Sequence, residues 1–181
     1  MRTSIILLCL GISLAQSLNA GDNQMSSDSV EVINDFNNLY RYQNFYLAGQ
    51  PTLEALLWLK GQGVTKIINL RTEKENDRYT GYAYNEKNKV EELGFKYYSI
   101  PISGTKDYTP EKLFELTELL SDNEKILIHC QGAGRVTHLF MAYLVDTKGY
   151  SLNDAIEVGK KINYSVPLEK LLDKEFTTQI K

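Results

Sequence analysis

The chain alternates short apolar, β-branched runs with longer segments of helical periodicity, and this alternation limits the folds open to it. Four runs have the length and composition of buried strands, namely residues 45–47, 66–70, 95–100 and 125–129. Because helical segments separate these strands, crossover connections are required, and we expect a central, mostly parallel sheet with helices on its faces. The sequence therefore predicts a three-layer α/β/α fold, in which ligands bind at the carboxyl ends of the strands.

Capping residues predict where several helices begin. Thr52, Thr109 and Ser151 each precede a segment with helical spacing of apolar residues, and Pro110 stands at a first helical position. Further helices are predicted over residues 79–93, over 135–148 and from 167 onwards. The charged segment 71–78 is predicted to be a loop.

The first twenty residues have the pattern of a secretory signal peptide. A basic residue, Arg2, precedes an apolar run and a stretch of small and polar residues that ends at Ala20. The apolar run is far shorter than the roughly twenty residues that a bilayer span needs. We expect residues 1–20 to be removed, 21–30 to be a disordered lead-in and 31–181 to form a single domain, exported to the periplasm or secreted without a membrane span.

Charge and composition exclude several classes of function. The formal net charge is −3 at pH 7, which gives no support for a nucleic-acid partner. The two histidines and the cysteines have no tetrahedral ligand spacing, so neither a metal nor another cofactor is expected. If Cys9 leaves with the signal peptide, Cys130 is the only thiol that remains and it has no internal disulfide partner. Such a thiol is either a small buried apolar group or a reactive one.

The surroundings of Cys130 favour a reactive thiol. It follows a predicted strand and precedes a predicted helix, with Gly132 and Gly134 before Arg135. Amides at a helix N-terminus attract anions, and the same field lowers the pKa of a thiol there. We expect the two glycines to adopt positive φ angles and Arg135 to hold two oxygens of a phosphate or sulfate. In the alternative interpretation, the strand ends in an inert cysteine and the glycines form a tight turn.

The loop resembles that of a known family. His129-Cys130, a glycine-containing segment, Arg135 and Thr137 are similar to the HCxxGxxR[ST] phosphate loop of the dual-specificity-type tyrosine phosphatases. Four other segments resemble bacterial exported phosphatase-like proteins: 46–51 (YLAGQP), 63–71 (GVTKIINLR), 98–102 (YSIPI) and 155–159 (AIEVG). The resemblance therefore covers roughly residues 33–163. The resemblance implies a cysteine-phosphatase-like fold and an enzyme that hydrolyses phosphate monoesters. The substrate would be a phosphorylated small molecule or a phosphoprotein, and the reaction could include hydrolysis of protein phosphotyrosine.

The same resemblance implies catalytic roles for three residues. Cys130 would attack phosphorus and form a thiophosphate intermediate, and Arg135 would clamp the equatorial oxygens. Asp107 would be the general acid that protonates the leaving oxygen, although an aspartate in this loop is equally consistent with a solvated turn. Six further positions would bind substrate: His129, Gln131, Gly132, Ala133, Gly134 and Thr137.

Several of these assignments have structural alternatives. His129 would tune the thiolate or be a core histidine, and Thr137 would donate to the sulfur or be an ordinary helix threonine. Arg71 would lie under the site or, as we favour, pair with Glu73 or Glu75, and Gln50 is a candidate for the rim.

The loop departs from the phosphatase pattern in its length, and this leaves two rival functions open. Four residues separate Cys130 from Arg135 where the active signature has five, and Ala133 replaces a glycine. Exported phosphatase-like proteins with loops resembling HCxxGNRV share the short spacing. Rhodanese-like sulfurtransferases also use four residues, but their Asp-x-Arg and GHIxGA-like segments are absent from this sequence. The missing residue also suggests a noncatalytic phospho-ligand binder. The sequence does not predict an oligomeric state.

Overall fold

The described part of the chain contains one six-stranded sheet. The computed structural model describes residues 29–78 and 85–164. The strands are β1 (Glu31–Val32), β2 (Leu39–Tyr42), β3 (Phe45–Ala48), β4 (Val64–Asn69), β5 (Lys96–Ser99) and β6 (Lys125–His129). Their spatial order is β1-β2-β3-β6-β4-β5. The pairs β3–β6, β6–β4 and β4–β5 are parallel, whereas β1–β2 and β2–β3 are antiparallel. The mostly parallel sheet is confirmed, with an antiparallel edge that the sequence did not predict.

Six α-helices connect or flank the strands in the described residues, and their starts largely follow the predicted caps. They are α1 (Leu53–Gly61), α2 (Glu73–Arg78), α3 (Glu86–Glu92), α4 (Pro110–Leu119), α5 (Gly134–Asp146) and α6 (Leu152–Lys160). Thr52 Oγ1 accepts from the amide of Ala55 at 3.1 Å, and Ser151 Oγ from that of Asp154 at 3.1 Å. The predicted caps are thus confirmed, Thr109 included. None of the described helices is long and apolar enough to cross a membrane.

The helices form a layer on each face of the sheet. Ile126 and Ile128 belong to the apolar cluster that contains the buried residues of α4, α5 and α6. Leu127, which lies between them on β6, packs instead with the buried residues of α1 and α3. Because successive strand side chains point to opposite faces, this division confirms the α/β/α layering.

The prediction that residues 71–78 form a loop is wrong, because α2 lies within them. The sequence of α2 has no apolar stripe, so periodicity gave no signal. Its first turn is held by a reciprocal cap in which the Thr72 amide donates to Glu75 Oε2 at 2.9 Å and the Glu75 amide donates to Thr72 Oγ1 at 3.3 Å. This Thr-x-x-Glu capping box was the sequence signal that could have predicted the helix.

Other predictions fall partly or wholly outside the described residues. The helix predicted over 79–93 is described only from its cap Asn85, whose Oδ1 accepts from the Asn88 amide at 3.1 Å. The signal peptide, most of the lead-in over 21–30 and the helix predicted from 167 also lie outside the described residues.

Candidate active site

The predicted phosphate loop lies at the carboxyl edge of the sheet, between β6 and α5. Cys130 follows the last residue of β6, and α5 begins at Gly134 with Ala133 as its N-cap. Ala133 has φ 65° and ψ −10°, which is a left-handed conformation and costs a non-glycine residue about 1–2 kcal/mol. The prediction that Gly132 and Gly134 carry the positive φ angles is wrong, since Ala133 alone does so in this loop. The left-handed residue of the loop is thus the N-cap of α5.

Two distant segments hold the loop from outside. Gly49 forms an isolated bridge with Gly132, and the amide of Gln50 donates to the carbonyl oxygen of Gln131 at 3.1 Å. A Cβ atom on Gly49 would lie 3.1 Å from that carbonyl oxygen, so the close approach depends on glycine. On another side, Asn163 Nδ2 donates to the carbonyl oxygen of Gly132 at 2.6 Å. The shape of the loop is therefore fixed by its neighbours as well as by its own sequence.

Arg135 is held in a fixed position by a glutamate that the sequence analysis did not assign to it. Its Nη1 donates to Glu75 Oε2 at 2.8 Å and its Nη2 donates to Glu75 Oε1 at 2.7 Å. The two residues thus form a bidentate, charge-assisted pair, which is among the stronger hydrogen-bonded arrangements in proteins. Nη1 also donates to the carbonyl oxygen of Ile102 at 2.8 Å. Arg135 is thus not a free helix-surface charge.

The charges at this pair are mutually stabilised. The hydrogen bonds from Arg135 lower the pKa of Glu75 to about 2, although partial burial acts in the opposite direction. Burial acts to lower the pKa of Arg135, but the hydrogen bonds to Glu75 and the proximity of Cys130 outweigh it and raise the pKa. The guanidinium of Arg135 is therefore close enough to the thiol of Cys130 for the two groups to interact. Cys130 itself is a free, buried thiol in the apolar cluster of this face.

His129 serves the opposite face of the sheet. It is fully buried, and its Nε2 lies 3.1 Å from Glu86 Oε1 on α3. Glu86 also accepts from Gln50 Nε2 at 3.1 Å and from Asn69 Nδ2 at 3.0 Å. Burial acts to raise the pKa of Glu86, but the charge and hydrogen bonding of His129 outweigh it and lower the pKa. Among the described residues, the polar contact of the His129 ring is with Glu86 and not with the phosphate loop.

Arg71 is buried and bonds to the backbone of Glu75, one of the two residues predicted as its partner. It is 2% exposed, and its Nη2 donates to the backbone carbonyl of Glu75 at 2.6 Å. Its Nη1 donates to Gln50 Oε1. Arg71 therefore links the start of α2, which carries Glu75, to the segment that contacts the loop.

Asp107 adopts the turn arrangement in the described conformation. It is half-buried in a 3-10 turn (Thr105–Asp107), where its Oδ2 accepts from the amide of Ser103 at 2.6 Å and from the Ser103 hydroxyl. These hydrogen bonds lower its pKa, whereas a general acid must carry a proton. The next residue, Tyr108, is buried beside Cys130; burial and then the nearby thiol raise its pKa to about 12. Sequence reasoning missed Tyr108, for which only its place beside Asp107 gave a signal.

The hydroxyl of Thr137 serves its own helix. Its Oγ1 donates to the carbonyl oxygen of Ala133 at 2.8 Å, as a buried helix threonine does. The neighbouring His138 is packed, and its Nδ1 lies 2.7 Å from the carbonyl oxygen of Gly134. The structure thus assembles Cys130, Arg135 and the loop backbone, and assigns the hydroxyl of Thr137 to the first turn of α5.

Several solved structures are similar to this chain in fold. Among solved structures, TpbA of P. aeruginosa in complex with pTyr is similar with 15% identity, covering 75% of this chain and 79% of that chain at a TM-score of 0.57. A putative phosphatase (DUF442) from Shewanella putrefaciens shares 19% identity over 77% of this chain and 91% of its own, also at 0.57. The PP-IP phosphatase SIW14 of S. cerevisiae, in complex with citrate, shares 21% identity over 70% and 76%, at 0.57.

These likenesses show the fold. No curated protein sequence matches the chain significantly. Residues 45–171, which are more than half of the chain and include the whole loop, match the profile of the family described as dual specificity phosphatase, catalytic domain. The chain therefore belongs to the dual specificity phosphatase catalytic domain family.

Proposed function

We propose that Cys130 and Arg135 carry out the hydrolysis of phosphate monoesters in this cysteine-based phosphatase. The observation that carries the proposal is the guanidinium of Arg135 beside Cys130, held in place by two hydrogen bonds to Glu75. A planar cation fixed beside a thiol at the start of α5 is suited to bind a tetrahedral oxyanion against a sulfur nucleophile. The sulfurtransferase alternative is not favoured, because the chain belongs to a phosphatase family.

The reaction would have two steps. The Cys130 thiolate attacks phosphorus, a sulfur–phosphorus bond forms, and the bond from phosphorus to the leaving oxygen breaks as that oxygen takes a proton. Water then attacks phosphorus, the sulfur–phosphorus bond breaks, and inorganic phosphate and the thiolate are released. Arg135 and the backbone amides of residues 131–134 bind the phosphoryl oxygens in both steps.

Asp107 is the proposed source of the proton for the leaving oxygen. In the described conformation its carboxylate accepts from Ser103, so proton delivery requires these hydrogen bonds to open. Tyr108 is the second candidate, because its pKa of about 12 keeps it protonated at neutral pH. The dependence of kcat on the leaving group separates the two. The variant that lacks the proton donor should lose far more kcat with alkyl phosphates than with p-nitrophenyl phosphate. Comparing Asp107→Asn with Tyr108→Phe on the two substrates therefore identifies the donor.

The substrate class and the compartment are further parts of the proposal. TpbA was solved with pTyr and PTPMT1 with PI(5)P, and both have this fold. We propose phosphotyrosine in a protein as the substrate class and, from the pattern of residues 1–20, export to the periplasm or to the medium. N-terminal sequencing of the protein recovered from these fractions tests the second point; an intact Met1 in the exported form would contradict it.

The decisive experiment compares the wild type with Cys130→Ser and Arg135→Lys on p-nitrophenyl phosphate, with vanadate as inhibitor. We expect Cys130→Ser to lower kcat by about 10⁴-fold or more and Arg135→Lys by about 10²- to 10³-fold. Thermal unfolding of each variant shows whether it is folded. Activity that survives in Cys130→Ser would remove the nucleophile assignment. A wild type that binds phosphotyrosine without turnover would instead support the noncatalytic binder suggested by the four-residue loop.

A further inference from the structure

The side chain of Arg71 bridges two segments that are far apart in sequence. Its own amide donates to Asn69 Oδ1 at 2.7 Å, which fixes the backbone just after β4. Its Nη1 donates to Gln50 Oε1, and its Nη2 donates to the carbonyl oxygen of Glu75 at 2.6 Å. Because a guanidinium is planar and rigid, the two acceptors are held at a set separation.

Gln50 carries one end of this bridge to the phosphate loop. Its side chain is held at both polar atoms, since Oε1 accepts from Arg71 and Nε2 donates to Glu86 Oε1 at 3.1 Å. Its backbone amide donates to the carbonyl oxygen of Gln131 at 3.1 Å. Gln50 is therefore fixed against the residue that follows Cys130.

Glu75 carries the other end of the bridge to Arg135. Its carbonyl oxygen accepts from Arg71, while its carboxylate accepts from both terminal nitrogens of Arg135. A shift of α2 would therefore move the carboxylate, and the guanidinium of Arg135 with it. The bonded residues begin and end in the same loop: Gln131, Gln50, Arg71, Glu75 and Arg135.

We propose that Arg71 is a positioning residue, which keeps the guanidinium of Arg135 aligned with the backbone amides of the phosphate loop. It acts through Glu75 on one side and through Gln50 on the other, without contacting the anion. A tetrahedral oxyanion needs both sets of donors at a fixed separation, so a small misplacement of either lowers the rate. This inference rests on the proposed phosphatase function and adds to it a residue outside the loop.

Lys66 offers a matched control, because it is a second buried cation on the same stretch of chain. It is 7% exposed, and its Nζ donates to the carbonyl oxygen of Leu119 at 2.6 Å and lies 2.8 Å from Glu124 Oε2. It pairs in register with Ile126, near the start of β6, whereas Cys130 follows the end of that strand. Substitution of Lys66 should therefore lower stability without disturbing the anion site.

The first test measures inhibition by vanadate and hydrolysis of p-nitrophenyl phosphate in Arg71→Lys. Lysine keeps the buried charge, but its single nitrogen cannot reproduce the fork that spans both acceptors. We expect the inhibition constant of vanadate to rise about 3- to 10-fold and kcat/KM to fall about 10- to 30-fold. An inhibition constant does not depend on the concentration of folded enzyme, so a merely destabilising change leaves it unaltered. Lys66→Met should lower the free energy of unfolding and leave this constant unchanged.

The second test is a double-mutant cycle with Glu75→Gln. If Arg71 acts through Glu75, Arg71→Lys should lower kcat/KM by only about threefold or less in the Glu75→Gln background, where the guanidinium is already released. Lys66→Met should have the same effect in both backgrounds.

A wild-type inhibition constant in Arg71→Lys would overturn the proposal. A loss of kcat/KM of the same size in the wild-type and Glu75→Gln backgrounds would also overturn it, because the effect of Arg71 would then be independent of Glu75. If the wild type does not hydrolyse p-nitrophenyl phosphate, the proposed function fails, and the Kd of vanadate from titration calorimetry decides the positioning proposal. A Kd that rises about 3- to 10-fold in Arg71→Lys would support it, and an unchanged Kd would overturn it.

Discussion

His129 and Cys130 are neighbours in sequence, yet they belong to two different environments. On the Cys130 side, Arg135 and Glu75 form a single ion pair whose side chains are 16% and 33% exposed. On the His129 side, the carboxylate of Glu86 is only 11% exposed and is surrounded by polar groups from three other segments. The first arrangement can share its cation with an incoming anion, whereas in the second both carboxylate oxygens of Glu86 already accept hydrogen bonds. A residue next to the nucleophile in sequence therefore need not take part in the reaction.

The two glutamates should respond differently to substitution. Removal of Glu86 takes an acceptor away from the buried side chains of Asn69 and His129. Removal of Glu75 leaves a guanidinium that solvent and the carbonyl of Ile102 still satisfy. Glu86 should therefore contribute mainly to stability, and Glu75 mainly to the position of Arg135.

The largest expected effect is that of Glu86→Ala on stability. Because the buried partner of His129 is lost, the free energy of unfolding should fall by about 3–5 kcal/mol. Urea denaturation measures this change, and Glu86→Gln, which keeps an acceptor for Asn69, should lose less. A loss below about 1 kcal/mol in Glu86→Ala, in the range of an exposed pair, would erase the contrast between the two sides.

The next effect is that of Glu75→Gln on activity. Without the two-point pair, Arg135 should lose its fixed orientation, and kcat/KM for p-nitrophenyl phosphate should fall by about 10- to 100-fold. The free energy of unfolding should change by about 1 kcal/mol or less. Glu73→Gln, exposed on the same helix, is the control. Full activity in Glu75→Gln would show that the pair is not needed to position the guanidinium.

A smaller effect concerns the pH dependence of stability. The pKa of Glu75 is lowered from 4.5 to about 2 in the folded protein, so its contribution is complete above pH 4.5 and is lost as the pH falls towards 2. After allowance for solvent screening, this contribution is about 1 kcal/mol or less. The difference in unfolding free energy between wild type and Glu75→Gln should shrink from about pH 5 to pH 2. A difference that stays constant over this range would contradict the pairing.

The smallest effect is expected at Ala133, the left-handed residue on the Cys130 side. Glycine would relieve about 1–2 kcal/mol of strain, but the flexibility of glycine and the loss of a buried methyl group offset most of it. Ala133→Gly should therefore change stability by less than about 1 kcal/mol, and Ala133→Val should destabilise the protein more because β-branching worsens the left-handed conformation. Equal stability of the two variants would show that this side stores no backbone strain.

The sequence predicted those features that depend on local patterns. The parallel sheet, the strand that ends at His129 and the caps Thr52 and Ser151 follow from hydrophobic runs and from residues that bond their own helix. The position of Cys130 at the sheet edge follows from the topology that these elements impose. The six residues of α2, five of them charged, have no apolar periodicity, and only the capping box indicates a helix.

The features that the sequence did not predict depend on contacts between distant residues. Nothing local indicates that Arg135 would pair with Glu75 rather than remain free, or that Glu86 would lie against His129. The short strand β1 has only two residues, too few for a period to be visible. The φ angle of Ala133 is set by the start of α5 and the neighbours of the loop, which override the preference for glycine.

The contact between Gly49 and the loop has a consequence for how the enzyme folds. Cys130 and Arg135 lie in the second half of the chain, but one support of their loop comes from the end of β3, far earlier in the sequence. A fragment that begins after β3 would hold the nucleophile and its arginine while lacking this support. The chain should therefore become active only after β3 pairs with β6, which is a long-range and therefore late event in folding. A partly folded chain should have no activity.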